Sequence, residues 1–236
     1  MLRFRPHVLS RRTHKWLALI VGVQALIWTL SGLYMTAVHI DIIHGDHFIR
    51  RTEPKAVSAT NLVSPVVAAT AFPGATSVKL SRFIHRPVYA VKTSAGERLV
   101  DARTGHRLPP PSRGQIREAA EHWFTGPEKL ASLTLIDDIP DEIRGRKPPL
   151  WRADFEGWNK PTLYLSPTTG ELVSRRHELW RVFDFLWMLH IMDYEMRDNV
   201  NNWLLRGFTL LAFTTVLSGA WLLWFAFPWR RRAVSR

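Results

Sequence analysis

The chain contains no cysteine among its 236 residues. That excludes disulfides, iron–sulfur clusters, thiolate zinc sites, covalent c-type haem attachment and thiol catalysis. Acidic residues are scarce, 20 against 32 lysines and arginines, and the formal net charge is +12. The excess is not spread along the chain. Residues 1–15 carry Arg3, Arg5, Arg11, Arg12 and Lys15 with no acid, and Arg230, Arg231, Arg232 and Arg236 gather at the other end. A nucleic-acid-binding protein would carry its charge on a folded domain, so no nucleic acid is expected as a partner. Just inside the two basic ends, charge disappears altogether.

The first uncharged stretch runs from Trp16 to Val38, with Gln24 as its one strongly polar side chain. As a helix it would be about 34 Å long, enough for a hydrocarbon core of about 30 Å. It continues into VHIDIIHGDH rather than a small-residue cleavage site, which favours a retained anchor over a cleaved signal. The second stretch runs from Gly207 to Phe227, with Trp203, Trp221, Trp224 and Trp229 near its ends, where indole rings favour the headgroup layer. Basic flanks stay cytoplasmic, so both termini are expected inside and the region between the spans outside. A third apolar segment, Leu179 to Met192, holds Arg181, Asp184 and His190 and is short for a crossing. It reads as a helix lying along the outer membrane surface or packed against the outer ends of the spans, with Leu179, Phe183, Leu186, His190 and Asp193 on one face. Small residues at spacings of three and four (Gly22, Ala25, Thr29, Gly32 and Thr36; Ala212, Thr215 and Gly219) suggest close helix packing.

The middle of the chain repeats itself. Residues 62–108 read as a helix (SPVVAATAF), three strands (TSVKLSRFI, PVYAVKT, ERLVDA) and a Thr104-Gly105 turn. Residues 112–173 read as a helix (SRGQIREAAEHWF), three strands (LASLTLI, PLWRADFE, PTLYLS) and a Thr169-Gly170 turn. The closing segments LVDARTGHRL and YLSPTTGELV align without a gap, and a strand restart is expected after each. Ser64 and Ser112 are expected helix N-caps. Nothing here suggests a catalytic triad, a phosphate loop or a paired-carboxylate site.

This repeat, with its closing DARTG and SPTTG turns, resembles the PepSY domain. Two such units between an N-terminal and a C-terminal span resemble the PepSY-associated transmembrane family, as do THKWLALIVGVQALIWTLSGLYM, HGDH at 44–47 and LHIMDY at 189–194. The resemblance implies an α+β fold: two transmembrane helices flanking an outward-facing tandem domain of helix plus antiparallel strands. The expected divisions are a basic arm (1–15), a first span (16–43), repeats at 44–110 and 111–176, an interfacial helix and turn (177–202), a second span (203–229) and a basic tail (230–236). Larger relatives include inner-membrane reductases that bind b-type haem and remove iron from siderophores. The implied role is therefore haem-b-assisted electron transfer in the inner membrane, for ferric-siderophore reduction or iron uptake. This chain has half their spans and no flavin or nicotinamide segment, so the role implies a homodimer or other membrane subunits. The alternatives are a membrane-anchored docking or protease-inhibitory module for a periplasmic protein, and an accessory subunit of a larger complex.

The histidines carry the cofactor expectation. His39, His44 and His47 follow the first span and His190 precedes the second, so His190, His44 and His39 are candidate haem ligands. His14, at the inner edge of the first span, is a candidate for a separate inner haem. His44, Asp46 and His47 form a candidate transition-metal set. His85, His106, His122 and His177 read as ordinary exposed histidines.

Overall fold

The computed structural model describes residues 6–50 and 61–226. The first five residues of the basic arm, Trp229 and the tail at 230–236 lie outside them. The chain divides into two compact units, one made of its two ends (up to Val38 and from Phe183), the other of His39–Val182.

In the first unit, α1 (Pro6–Ala37) packs against α6 (Trp203–Ala226). Both are long and apolar enough to cross a membrane, α1 over Arg11–Ala37 and α6 over Trp203–Trp224. Their burial is inverted relative to a water-soluble helix. On α1, Gln24 and Ser31 are buried at 6% and 0% exposure, while Leu19, Val23, Leu26, Leu30 and Leu33 face outward. On α6 the outward residues include Leu210, Phe213 and Val216. The first helical stretch is shorter than the expected 16–43 at its far end. Val38 and His39 interrupt it, His39 is extended, and its ring accepts the Asp41 N–H to start a separate helix, α2 (Ile40–His44).

In His39–Val182, α3 (Pro65–Thr70) packs on the antiparallel sheet β1 (Ser77–Phe83), β2 (Arg86–Thr93) and β3 (Gly96–Asp101). The second repeat sets α4 (Arg113–Trp123) on β4 (Leu130–Ile136), β5 (Leu150–Phe155), β6 (Thr162–Leu165) and β7 (Leu172–Arg176), in that order. Finally, α5 (Glu178–Ile191) runs from this unit into the other. Ser64 caps α3, with Pro65 pre-set for its first turn. Ser112 and Gln115 form a reciprocal capping box on α4. One core in each repeat lies between helix and sheet: Ala68 with Tyr89, Val91 and Val100, and Ile116 and Ala120 with Leu133, Leu163 and Leu165. The opposite sheet faces are also covered, by Val88, Ala90 and Leu99 in one repeat and Ile143, Leu150 and Tyr164 in the other. Strands β2 and β6 are therefore buried on both sides, and their sequences are apolar runs rather than alternations.

The two closing turns match bond for bond. The Asp101 carboxylate accepts the N–H groups of Arg103 and Thr104, and the Ser166 hydroxyl accepts those of Thr168 and Thr169. Gly105 N–H donates to Asp101 O and Gly170 N–H to Ser166 O, both at 2.9 Å. Both glycines have positive φ, +76° and +67°. The repeats diverge just afterwards. The second continues as strand β7, whereas the first makes only a Val100–Arg107 bridge. Pro109, Pro110 and Pro111 follow there and offer no N–H for a ladder. The expected strand restart thus occurs once, not twice.

The repeats interlock through the β1–β2 turn. Ile84 sits there at φ +55°, a conformation that costs a β-branched residue about 1–2 kcal/mol. Phe83 and Ile84 pack on the core of the second repeat, which offsets that cost. Phe83 lies so close over Gly170 that a Cβ there would meet its ring at 2.5 Å. The segment after α2 also joins the second repeat, although by sequence it falls in the first. Ile49 bridges to Phe124, and Phe48 O accepts the Thr125 N–H.

Gly170→Ala should therefore destabilise the protein by about 2–3 kcal/mol, combining positive-φ strain with overpacking against Phe83. Gly145→Ala, at φ +80° but facing open space, should cost only about 1 kcal/mol. Urea unfolding of the full chain, followed by tryptophan fluorescence, measures the difference.

Candidate functional site

In the unit formed by α1, α6 and the end of α5, His14 and His190 are each held by a serine on a neighbouring helix. His14 Nδ1 is 2.8 Å from Ser218 Oγ, and His190 Nδ1 is 2.8 Å from Ser31 Oγ. A serine hydroxyl has a single proton. Ser218 donates its proton to Thr215 O at 2.8 Å, and Ser31 donates its own to Ile27 O at 2.7 Å. With those bonds made, each serine oxygen accepts from Nδ1–H and the Nε2 lone pair of both rings is left for another partner; with the serine donating to the ring instead, Nδ1 is the acceptor and Nε2 carries the proton. The first arrangement is the form in which a histidine ligates haem iron or a transition metal, with the opposite nitrogen oriented by a hydrogen bond.

The surroundings are built around these rings. Gly219 makes room for His14, since a Cβ there would lie 3.2 Å from the ring. The His190 ring lies nearly parallel to Trp187, and Trp187 to Phe183, at interplanar angles of 8° and 9°. Along α1, His14 and Ser31 are separated by about 25 Å of helix rise. The two histidines therefore stand at different levels and cannot share one ligand.

The end of α5 explains the one strongly polar side chain of the first span. A helix C-terminus leaves its last carbonyls without intrahelical donors. Gln24 Nε2 donates to Leu189 O, Trp28 Nε1 to His190 O and Asn202 Nδ2 to Ile191 O. Asn202 also caps α6 through the Leu205 N–H. The last turn of α5 is thus docked beside Gln24, Trp28 and Ser31, well within the apolar stretch of α1. Met192 at φ +55° ends the helix, so Asp193 leaves the expected helical face. Its carboxylate accepts backbone N–H groups of Glu195, Asp198 and Asn199 in the following turn. Arg197 pairs with Asp184.

The remaining candidates belong to His39–Val182. His39 uses Nδ1 as an acceptor for Asp41 N–H, which places the proton of its neutral ring on Nε2. His44 is exposed, and its carbonyl accepts from Arg175 Nε at 2.7 Å. Arg175 also pairs with Asp46, while His47 lies against Phe48. Among the described residues, no group of three His, Asp or Glu side chains is placed to hold a metal ion.

What the HGDH loop docks on is His177, which is buried at 1% exposure rather than exposed as its sequence context suggests. Its Nε2–H donates to Ile43 O at 3.0 Å, and its Nδ1 accepts the Trp180 N–H. Gly45 lies directly on the ring. A second proton would face a donor on Nδ1 and lose hydration, and burial pushes the ring down to about 4. No local pattern signals this burial, because the partner elements are distant in the chain. A polar cluster also escaped sequence reading. Glu142 accepts from Tyr164 Oη at 2.5 Å and Arg181 Nε at 2.6 Å. Burial alone would raise its carboxyl, but these bonds outweigh it and hold Glu142 below the ordinary range.

No protein-family model matches the chain, and neither a curated protein nor a solved structure matches it.

His177 makes stability depend on pH with a definite sign. Unfolded, it titrates near 6.5, and folded, near 4. Between these values the unfolded chain binds more protons, so stability falls as pH drops. From about pH 7 to pH 4.5 the contribution should be of order 2 kcal/mol. Thermal melts across that range should show the loss, and His177→Gln should flatten this part of the profile while lowering stability at neutral pH.

Proposed function

We propose that this chain is an inner-membrane electron-carrying protein that holds b-type haem on His190 and on His14, with both termini cytoplasmic and the two-repeat domain periplasmic. The observation that carries the reading is the pair of imidazoles whose Nδ1 is each held at 2.8 Å by a serine on a neighbouring helix, and in the proposed form Nε2 is the free donor nitrogen. The inverted burial of α1 and α6 supports lipid as their surroundings. The basic ends favour the stated orientation. His39 is the weaker candidate because its neutral tautomer carries the proton on Nε2.

Bound haem b supplies a one-electron iron couple in low-dielectric surroundings. The residues of the chain set the conditions for it. Ser31 and Ser218 orient the rings and strengthen the donor nitrogens by accepting from Nδ1–H. Trp187 shields one side of His190, and Gly219 allows His14 to lie between the helices. Gln24, Trp28 and Asn202 hold the last turn of α5, and so His190, at a fixed depth. Each level receives one histidine per chain. A second histidine to hold the group at either level would come from another copy or another membrane subunit, in keeping with a homodimer or a larger complex. A ferric siderophore as final acceptor is the form that the resemblance to PepSY-associated reductases suggests.

The test is an absorption spectrum of the protein purified in detergent, oxidised and then reduced with dithionite. A Soret band with sharp reduced bands is expected, in the preparation or after adding haemin. His190→Ala and His14→Ala should each remove one component, whereas Ser31→Ala should keep the band and shift its reduction potential. A spectrum that stays flat after haemin addition defeats the reading.

A further inference from the structure

The two repeats enclose a cavity of about 270 Å³ beside the strained β1–β2 turn. Phe83, Leu99 and Leu108 give it an apolar side, His85 and Arg86 a basic side, and Glu118 of α4 faces it. A smaller cavity behind Phe83 and Ile84 is lined by Arg82 and His122. The His85 and His122 rings meet edge to face, with centroids 5.5 Å apart. The Arg82 charge acts on His122, and the Arg86 charge acts on the Asp101 carboxylate. His122 is held below the ordinary histidine range by burial first and then by Arg50 and His85, as a locally positive field requires. Glu118 opposes that field only in part.

The turn itself is a second sign. A two-residue hairpin turn that served strand geometry alone would favour Asn-Gly. Here Ile84-His85 occupies it, with Ile84 in a left-handed conformation and His85 carried to the cavity wall. Strain of this kind is found where the surrounding fold enforces a position.

We propose that this cavity binds a small organic monoanion with an apolar body, such as an aromatic carboxylate, its charge met by Arg86 and His85 and its body laid on Phe83, Leu99 and Leu108. The Arg86 guanidinium, whose charge is also felt by the Asp101 carboxylate, supplies the charge-assisted hydrogen bonds. The apolar wall favours an organic over an inorganic anion. The volume lies just under the ~300–1,000 Å³ of pockets for drug-sized ligands, which keeps the ligand small. This site is independent of the haem reading and involves none of its residues.

The experiment titrates the full chain in lipid nanodiscs with benzoate, reading the ring resonances of His85 and His122 by NMR. Benzamide, with the same body and no charge, and inorganic phosphate, with charge and no body, serve as comparisons. Benzoate should shift both histidines saturably, and each comparison ligand should bind about tenfold more weakly or worse. Arg86→Gln should weaken benzoate by about tenfold and Arg86→Lys should restore most of the affinity. The proposal is overturned if benzoate causes no saturable shift, or if benzamide or phosphate binds as well as benzoate. It is equally overturned if Arg86→Gln leaves benzoate affinity unchanged; should that variant misfold, the benzamide comparison on the parent protein decides.

Discussion

A helix that stops among other helices leaves its last carbonyl oxygens in need of donors. The end of α5 is such a place. Its last carbonyls are met by side chains from α1 and α6, and the residues that meet them are the polar exceptions in otherwise apolar surroundings. Gln24 is buried because Leu189 O needs a donor, and Asn202 serves Ile191 O while it starts α6. Once that docking is made, His190 Nδ1 lies against Ser31 Oγ. The placement of His190 therefore depends on the satisfaction of a helix end.

The two-repeat unit shows how a duplicated pattern becomes asymmetric. The turns at Asp101–Gly105 and Ser166–Gly170 share the same hydrogen bonds, yet three prolines stop one strand from forming and leave the other free to extend. The same asymmetry makes the repeats complementary. Phe83 and Ile84 from the first enter the core of the second, and Gly170 of the second is bare where Phe83 arrives. Two equal repeats would have no reason to carry a strained isoleucine at one hairpin tip. The strain is held in place by apolar burial across the junction, and the cavity lies beside it.

Local patterns in the chain foretold much of this. The strands of both repeats, the capping serines Ser64 and Ser112, the matching glycine turns and the two long apolar helices were all legible, because each depends on residues close in sequence. The role of His177 was not. It reads as an exposed histidine after a strand, and only the return of Ile43 and Gly45 from the far side of the unit buries it. Glu142 was equally opaque, since its partners Tyr164 and Arg181 come from different elements. The HGDH cluster shows the reverse error of scale. Its spacing suits metal ligation, but Asp46 is taken by Arg175 and the loop serves as a lid on His177.

By itself the sequence determined which stretches are helix or strand, which are apolar enough for lipid, and where the chain turns, for hydrophobic period, capping and glycine placement act over a few residues. The fold in three dimensions sets which histidines meet a serine, which polar groups are buried, and where the two repeats leave a cavity. Those outcomes depend on single hydrogen bonds between residues far apart in the chain, such as Ser31 with His190 and Ser218 with His14. A side chain's protonation and burial are properties of its neighbours, and the order of residues along the chain does not name them.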